Sequence, residues 1–319
     1  MEHSFNEETG TYFTDDQPDI RDNIRSKVRK VELSEDVVFI GICAFDGCTK
    51  LESIHVPGSV TTIEDYAFHG CTSLKELTLS EGLGFIGNGA FTGCSELTSL
   101  YIPSTVDYIG HGAFRDCPKL EKVTISPDNP HFIMDEMGVI YTSDRTKMIG
   151  CTIPVSGTYK VPDTVRVIEG FAFYGCSELT GIELPEKLDV ICVGAFEGCE
   201  NLTSVHIPSD VKYLGSCIFP GCKRLEHVDI PKCISRLGTS MFENCPSLTR
   251  ISIPDNITSI ASRAFYGCSE LSEVELPRHL ESIEESAFAD CPKLQSVKIP
   301  QICMISQNSF DENADIIRD

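Results

Sequence analysis

The chain has 319 residues, enough for two ordinary globular domains or one array of repeats. Its apolar fraction of 41% allows a real core, and Trp is absent. With 48 Asp and Glu against 26 Lys and Arg, the formal charge is -22, which repels phosphate backbones and anionic bilayers; nucleic acid and membrane insertion are not expected.

Residues 1–24 are acidic and polar and lack the basic start and apolar run of a secretory signal. They are expected to form a flexible tail with, at most, a short capping element. No stretch of the chain approaches 18 consecutive apolar residues, the minimum for a spanning helix. These features favour a cytoplasmic location, with the cell surface as the alternative.

From residue 25 a repeat sets in. Phenylalanines stand at 45, 68, 91 and 114, and again at 173, 196, 219, 242, 265 and 288, each run spaced by 23 residues. Three residues after each comes Cys, from Cys48 to Cys291, and three further on comes Leu, from Leu51 to Leu294. Aliphatics follow six and eight residues after the cysteine, as in Ile54 and Val56, then usually Pro, then aliphatics at twelve and fifteen, as in Val60 and Ile63. The unit reads A-F-x-G-C-x-x-L-x-x-I-x-I-P-x-x-V-x-x-I-x-x-x. Val28, Val31, Leu33, Val37 and Ile40 extend the register toward the N-terminus, with Arg25 in the cysteine slot. The array is expected over residues 25–310, with 311–319 as a C-terminal tail.

Such a unit is too short to bury its own apolar side. Stacked copies turn each repeated apolar slot into a continuous ladder. The alternation around Ile54 and Val56 is that of a half-buried strand, and the following Pro, with no N–H to give, ends it. The V-x-x-I segment suits a second short extended piece. A-F-x-G-C suits a tight turn, its Gly supplying a permissive backbone and its Phe filling the interior.

This pattern resembles the BspA-like class of leucine-rich repeats, which shares the A-F-x-x-C-x-x-L-x-x-I-x-I-P unit. The resemblance implies a mainly β, right-handed leucine-rich-repeat solenoid with short parallel strands. It also implies protein recognition, or adhesion at a microbial surface.

Phe114 and Phe173 are 59 positions apart, one period plus 36. Residues 126–149 read as an inserted β-hairpin island, with Met137–Tyr141 and Lys147–Ile149 as its strands and Ser143–Thr146 as the turn. The resemblance implies the same island. It serves as a spacer or as a projecting recognition element.

Motifs for chemistry are few. Gly82, Gly84 and Gly87 match G-x-G-x-x-G, but Leu83 and Ile86 occupy regular core slots and the strand–helix context of a dinucleotide site is missing. No C-x-x-C or H-E-x-x-H occurs, so no metal, cofactor or catalytic centre is expected. The repeat cysteines read as reduced core residues, since a small apolar thiol suits a buried ladder. The sequons at Asn201 and Asn256 use repeat-slot residues and read as chance.

The expected function is that of a non-catalytic protein-interaction module. Slots five and seven after the cysteine face solvent and form two rows on the strand face. Candidate partner-binding residues on them are His55, Tyr101, His206, His227, Asp229, Arg250, Glu273 and Glu275. Tyr101 and Arg250 are the expected energetic anchors, since aromatics and Arg dominate interfaces. The net charge favours a basic protein partner. An adhesin binding host or matrix protein is the alternative.

Overall fold

The computed structural model describes residues 4–18, 20 and 22–318. It divides into two compact units. The first runs through Ser143 and adds Ile149–Ile153; the second comprises Asp144–Met148 and the chain from Pro154 onward. Both are stacks of short parallel strands, and among the described residues the only α-helix is the four-residue Asp22–Arg25.

In the first unit Lys30–Leu33, Ser53–Val56 and Glu76–Leu79 pair in parallel, each residue opposite its counterpart 23 positions later, as Ser53 is opposite Glu76. Ser99–Ile102 and Lys122–Ile125 pair the same way. A second column stacks Phe39–Ile40, Thr62–Ile63, Phe85–Ile86 and Tyr108–Ile109. In the second unit Leu179–Glu183 pairs with Gly157–Lys160, Ser204–His206 with His227–Asp229, and Arg250–Ser252 with Glu273–Glu275. The expected slots are buried: Phe91, Cys94, Leu97 and Ile102 are 0% exposed and Leu100 is 3% exposed.

The A-F-x-G-C segment is a turn that stacks on its neighbours. Phe45 N–H donates to Ala67 O at 2.7 Å and Gly47 N–H to His69 O at 2.9 Å, so the turns carry a ladder of their own. Two slots per turn adopt left-handed backbone. One is the glycine before the cysteine, as Gly47 at φ 67°. The other, five before the cysteine, is held by Cys43, Tyr66, Phe171, Cys217, Ser240, Arg263 and Ser286 at φ between 52° and 61°. Beneath the turns the Phe rings stack in files, with centroids 4.9 Å apart for Phe45 and Phe68 and 5.5 Å for Phe196 and Phe219.

The N-terminal segment differs from the expected tail. Ser4–Asn6 and Thr11–Thr14 form an antiparallel hairpin, and Thr11–Thr14 adds in parallel to Lys30–Leu33 with Tyr12 1% exposed. Its T-Y-F-T alternates as a repeat strand does, but 19 residues separate Thr11 from Lys30, which removes it from a count at period 23. The C-terminal segment behaves likewise. Asp315–Arg318 pairs with Ser296–Ile299, again 19 positions apart, and the Arg318 guanidinium donates to the carbonyls of Gln301 and Cys303 at 3.0 and 3.1 Å. Arg25 does the same in the first unit, donating to Cys43 O and Asp46 O at 3.3 and 2.7 Å. In both places a guanidinium near one end of the described chain donates to backbone carbonyls of an adjoining turn.

The island contains the expected hairpin and a further strand before it. Phe132–Met134 pairs antiparallel with Val139–Thr142 around a turn at residues 135–138. Asp135 Oδ1 accepts from Met137 N and Val139 N at 2.9 Å each, and Gly138 takes φ 76°. Val139–Thr142 also neighbours Lys147–Cys151 in the same sheet, the hairpin expected around residues 143–146, and Lys147 and Met148 pair in parallel with Val167 and Ile168.

Candidate functional site

The strand face is built by alternation. Along each four-residue strand the inward side chains enter the ladder and the others stand in water, as the burial of Ser99–Ile102 shows. Parallel in-register pairing then lines up equivalent outward residues: His55 with Thr78, His206 with Asp229, Ser252 with Glu275. All eight candidate residues are exposed.

In the second unit the structure brings several of them together. His206 Nδ1 lies 3.0 Å from Asp229 Oδ2, and His227 Nε2 lies 3.0 Å from Asp229 Oδ1. One carboxylate thus bridges an imidazole of the preceding rung and one on its own strand. The hydrogen bond from His206 and the neighbouring His227 hold the Asp229 carboxyl below the ordinary carboxylate range. Beside it His227, Asp229, Lys232, Arg250, Glu273 and Glu275 rim a depression across the face. In the first unit His55 borders a separate depression with Lys30, Glu32 and Glu76, while Tyr101 is 43% exposed on Ser99–Ile102.

Charge on this face is mixed. The ten regular rungs place Glu76, Glu183, Asp229, Glu273 and Glu275 on the two rows, against Lys122, Arg250 and Lys298. Most of the -22 therefore lies off the strand face.

Two sets of outward residues were missed in the sequence. Lys232 follows the strand-ending proline and sits in no repeat row, yet it lines the depression beside Asp229. Phe85 and Tyr108 stand on the second strand column, stacked at 4.6 Å and 4°. Their signal is the slot preceding the buried Ile86 and Ile109, which alternation turns outward.

The glycine-rich match is a close approach between rungs. A Cβ at Gly82 would stand 2.2 Å from Gly58 O, and one at Gly87 2.5 Å from Asp65 N. Both glycines make room for neighbouring backbone. Among the described residues no group of three or more His, Cys, Asp or Glu is placed to hold a metal.

The 16 cysteines are free thiols in the structure. Eight of the ten repeat cysteines donate to the phenylalanine carbonyl 26 positions earlier, in the preceding rung. Cys71 Sγ reaches Phe45 O at 3.2 Å, Cys94 Phe68 O at 3.3 Å, Cys222 Phe196 O at 3.2 Å and Cys268 Phe242 O at 3.1 Å. The carbonyls of Phe45, Phe68 and Phe196 also accept their own rung's cysteine N–H, so there the thiol fills the second lone pair. Burial pushes these thiols up, Cys48, Cys117 and Cys291 to about 12. They are protonated structural donors and not nucleophiles.

The model of the BspA type leucine-rich repeat region matches six copies, over residues 23–135, 157–268 and 189–317. No curated protein matches the chain. Among solved structures, a leucine-rich repeat protein from Eubacterium ventriosum is similar at TM-score 0.76 and 23% identity, covering 95% of this chain and 90% of its own. The pneumococcal vaccine antigen PcpA is similar at TM-score 0.60 and 20% identity, over 92% and 78%. A leucine-rich cell surface protein from Faecalibacterium prausnitzii is similar at 0.54 and 24%, over 88% and 79%. At these identities the likeness carries the fold.

Proposed function

The chain belongs to the BspA-type leucine-rich repeat family, and from there we propose that it is a non-catalytic module that binds a protein partner on its strand face. One observation carries this reading: within each unit the outward side chains stand parallel, in register, one rung after another. Catalysis needs titratable groups that converge on one reacting atom. Parallel rows spread over a sheet suit a macromolecular surface instead.

Tyr101 is the anchor on the strand face of the first unit and Arg250 on that of the second, as a half-exposed ring and a guanidinium are where interface energy concentrates. His55 supplies polar surface in the first unit, and His206, His227, Asp229, Glu273 and Glu275 do so in the second. A near balance of charge on the rows removes the reason to expect a basic partner at the face itself. The thiol donors support a reducing compartment, because a disulfide sulfur has no proton to give.

The test is capture of partners from the native source by the intact chain, by a Tyr101→Ala/Arg250→Ala variant, and by a Tyr66→Ala control on the turn side. The double variant should lose the partner and the control keep it, with all three melting alike. Equal capture by all three removes the strand face as the site.

A further inference from the structure

We propose that the strand face of the second unit docks an amphipathic α-helix of its partner, one that seats apolar side chains seven residues apart in openings at Leu184, Ile230 and Leu276. This deepens the strand-face reading above and rests on it.

The openings come from the strand pairing. On this face the strands of the second unit pair two by two. Gly157–Lys160 holds Leu179–Glu183, Ser204–His206 holds His227–Asp229, Arg250–Ser252 holds Glu273–Glu275, and Ser296–Ile299 holds Asp315–Arg318, each pair a separate two-stranded sheet. On the turn side the same rungs stay joined. Phe173 N–H donates to Ala195 O, Phe219 N–H to Met241 O and Phe265 N–H to Ala287 O, one bond across each opening. The strand ladder therefore opens after every second rung while the turns hold the rungs together.

Burial follows the same alternation. The slot eight after the cysteine is core, and Ile207, Ile253 and Ile299 fill it buried. Leu184, Ile230 and Leu276, which hold that slot on the rung before each opening, are only half-buried. In the first unit Val56, Leu79 and Ile102 all stay buried, although Glu76–Leu79 and Ser99–Ile102 also lie in separate sheets. Ile230 lines the depression beside Asp229 together with Ile251 and Pro254, and Leu276 lines another with Val274 and Ile299. The core is thus uncovered at regular intervals, in apolar slots.

Their spacing sets the kind of ligand. Leu184, Ile230 and Leu276 recur every 46 residues, two rungs apart. The phenylalanine rings advance 5.0–5.6 Å per rung, which puts successive openings roughly 10–11 Å apart. An α-helix rises about 10.5 Å in seven residues and returns nearly to the same face. Polyproline II returns after about 9.3 Å, and a β-strand after about 6.6 Å; both are out of step by the third opening.

Charge gives the helix its flank. Each uncovered side chain follows an outward carboxylate, Glu183 before Leu184, Asp229 before Ile230 and Glu275 before Leu276. On the rungs between, that row holds His206, Ser252 and Lys298. A helix with one Lys or Arg per heptad beside its apolar seam meets the three carboxylates in turn. Lys232, Arg250, Arg278 and Lys298 match Glu183, Asp229, Glu273 and Glu275 in number, so register and not net charge selects the partner.

The experiment is fluorescence anisotropy of fluorescein-labelled peptides with the full chain. The first peptide is three repeats of L-A-Q-A-K-A-Q. The second has the same composition with the leucines four residues apart, which keeps one apolar face but sets its side chains about 6 Å apart. The third has Glu in place of each Lys. The first should bind at least about tenfold more tightly than the second, the worth of one buried leucine, and severalfold more tightly than the third. Ile230→Asn and Leu276→Asn should each weaken the first peptide about tenfold, while Val38→Asn, at an exposed site of the first unit, leaves it unchanged. The peptide comparison on the unaltered chain decides even where an Asn variant fails to fold. No binding, equal binding of the first peptide and either of the others, or unchanged affinity in folded Ile230→Asn and Leu276→Asn overturns the proposal. If partner capture is lost in Tyr101→Ala/Arg250→Ala while the heptad peptide does not bind, the helix inference falls and the strand face stands. If capture is indifferent to that variant, the strand-face reading itself falls.

Discussion

The ring of Phe171 occupies the space that a side chain at Gly194 would need. A Cβ on Gly194 would stand 2.3 Å from a ring carbon of Phe171, and the glycine takes φ 64°. The same pairing recurs in the first unit, where a Cβ on Gly89 would stand 2.6 Å from the ring of Tyr66. An aromatic in this slot of one rung thus demands glycine in the next.

Gly194→Ala should therefore cost more than Gly175→Ala, which has a similar φ of 67° but nothing within 4 Å. Backbone strain alone is about 1–2 kcal/mol; the ring clash adds to it at Gly194 only. Phe171→Ala should relieve that excess. Denaturant unfolding of the two singles and the double gives the coupling, and a coupling of zero would refute the contact.

Phe219 lies between Phe196 and Phe242, with centroids at 5.5 and 5.6 Å, and is 0% exposed. Phe219→Ala should lower stability by about 3–5 kcal/mol through the cavity it leaves. Because rungs contact only their neighbours, exchange protection should fall most in the adjacent rungs. Calorimetry and hydrogen exchange check both; an unshifted melting temperature would show that the file of rings is not core.

The buried thiols give a pH dependence of known sign. Cys48, Cys117 and Cys291 are raised from 9.0 to about 12 by burial, so the folded chain holds their protons more tightly than the unfolded one. Their contribution is complete below pH 9.0 and is lost as pH rises toward about 12. Replacing the three with Ala should flatten the alkaline fall in denaturation midpoint. A wild-type and variant decline of the same steepness would contradict this.

Asn129 is 8% exposed and spends its whole amide on backbone. Its Nδ2 donates to Pro103 O and Val106 O at 2.8 and 2.9 Å, and its Oδ1 accepts from His131 N and Phe132 N at 2.8 and 2.9 Å. Asn129→Ala strands these groups and should cost more than about 3 kcal/mol, since each buried orphan costs about 1–3. Urea denaturation measures it, and a loss under about 1 kcal/mol would mean that water replaces the amide.

The fold was legible where the sequence repeats. Phe, Cys and Leu at fixed offsets mark the core because every rung buries the same slots, and Leu100 and Ile102 follow from alternation alone. Legibility ended where spacing changed. Tyr12 and Ile316 belong to strands 19 residues from their partners, so a count at 23 passes over them. Phe132–Met134 was overlooked because its partner strand also reads as the start of a hairpin with Lys147. At the candidate site the rows were legible, since parallel register places His206 beside Asp229. The bridging of one carboxylate by two rings was not, because it depends on rotamers that no spacing encodes.

Tyr101 and Tyr66 allow the most direct test of strand-face recognition. Both belong to the first unit and are similarly exposed, at 43% and 47%, one on a strand and the other on a turn. Each is replaced in turn by the photoreactive benzoylphenylalanine, a near match in shape, and the chain is irradiated in its native source. The account requires a cross-linked protein from position 101 and none from position 66. A product from position 66 alone, or the same product in equal yield from both, would contradict it.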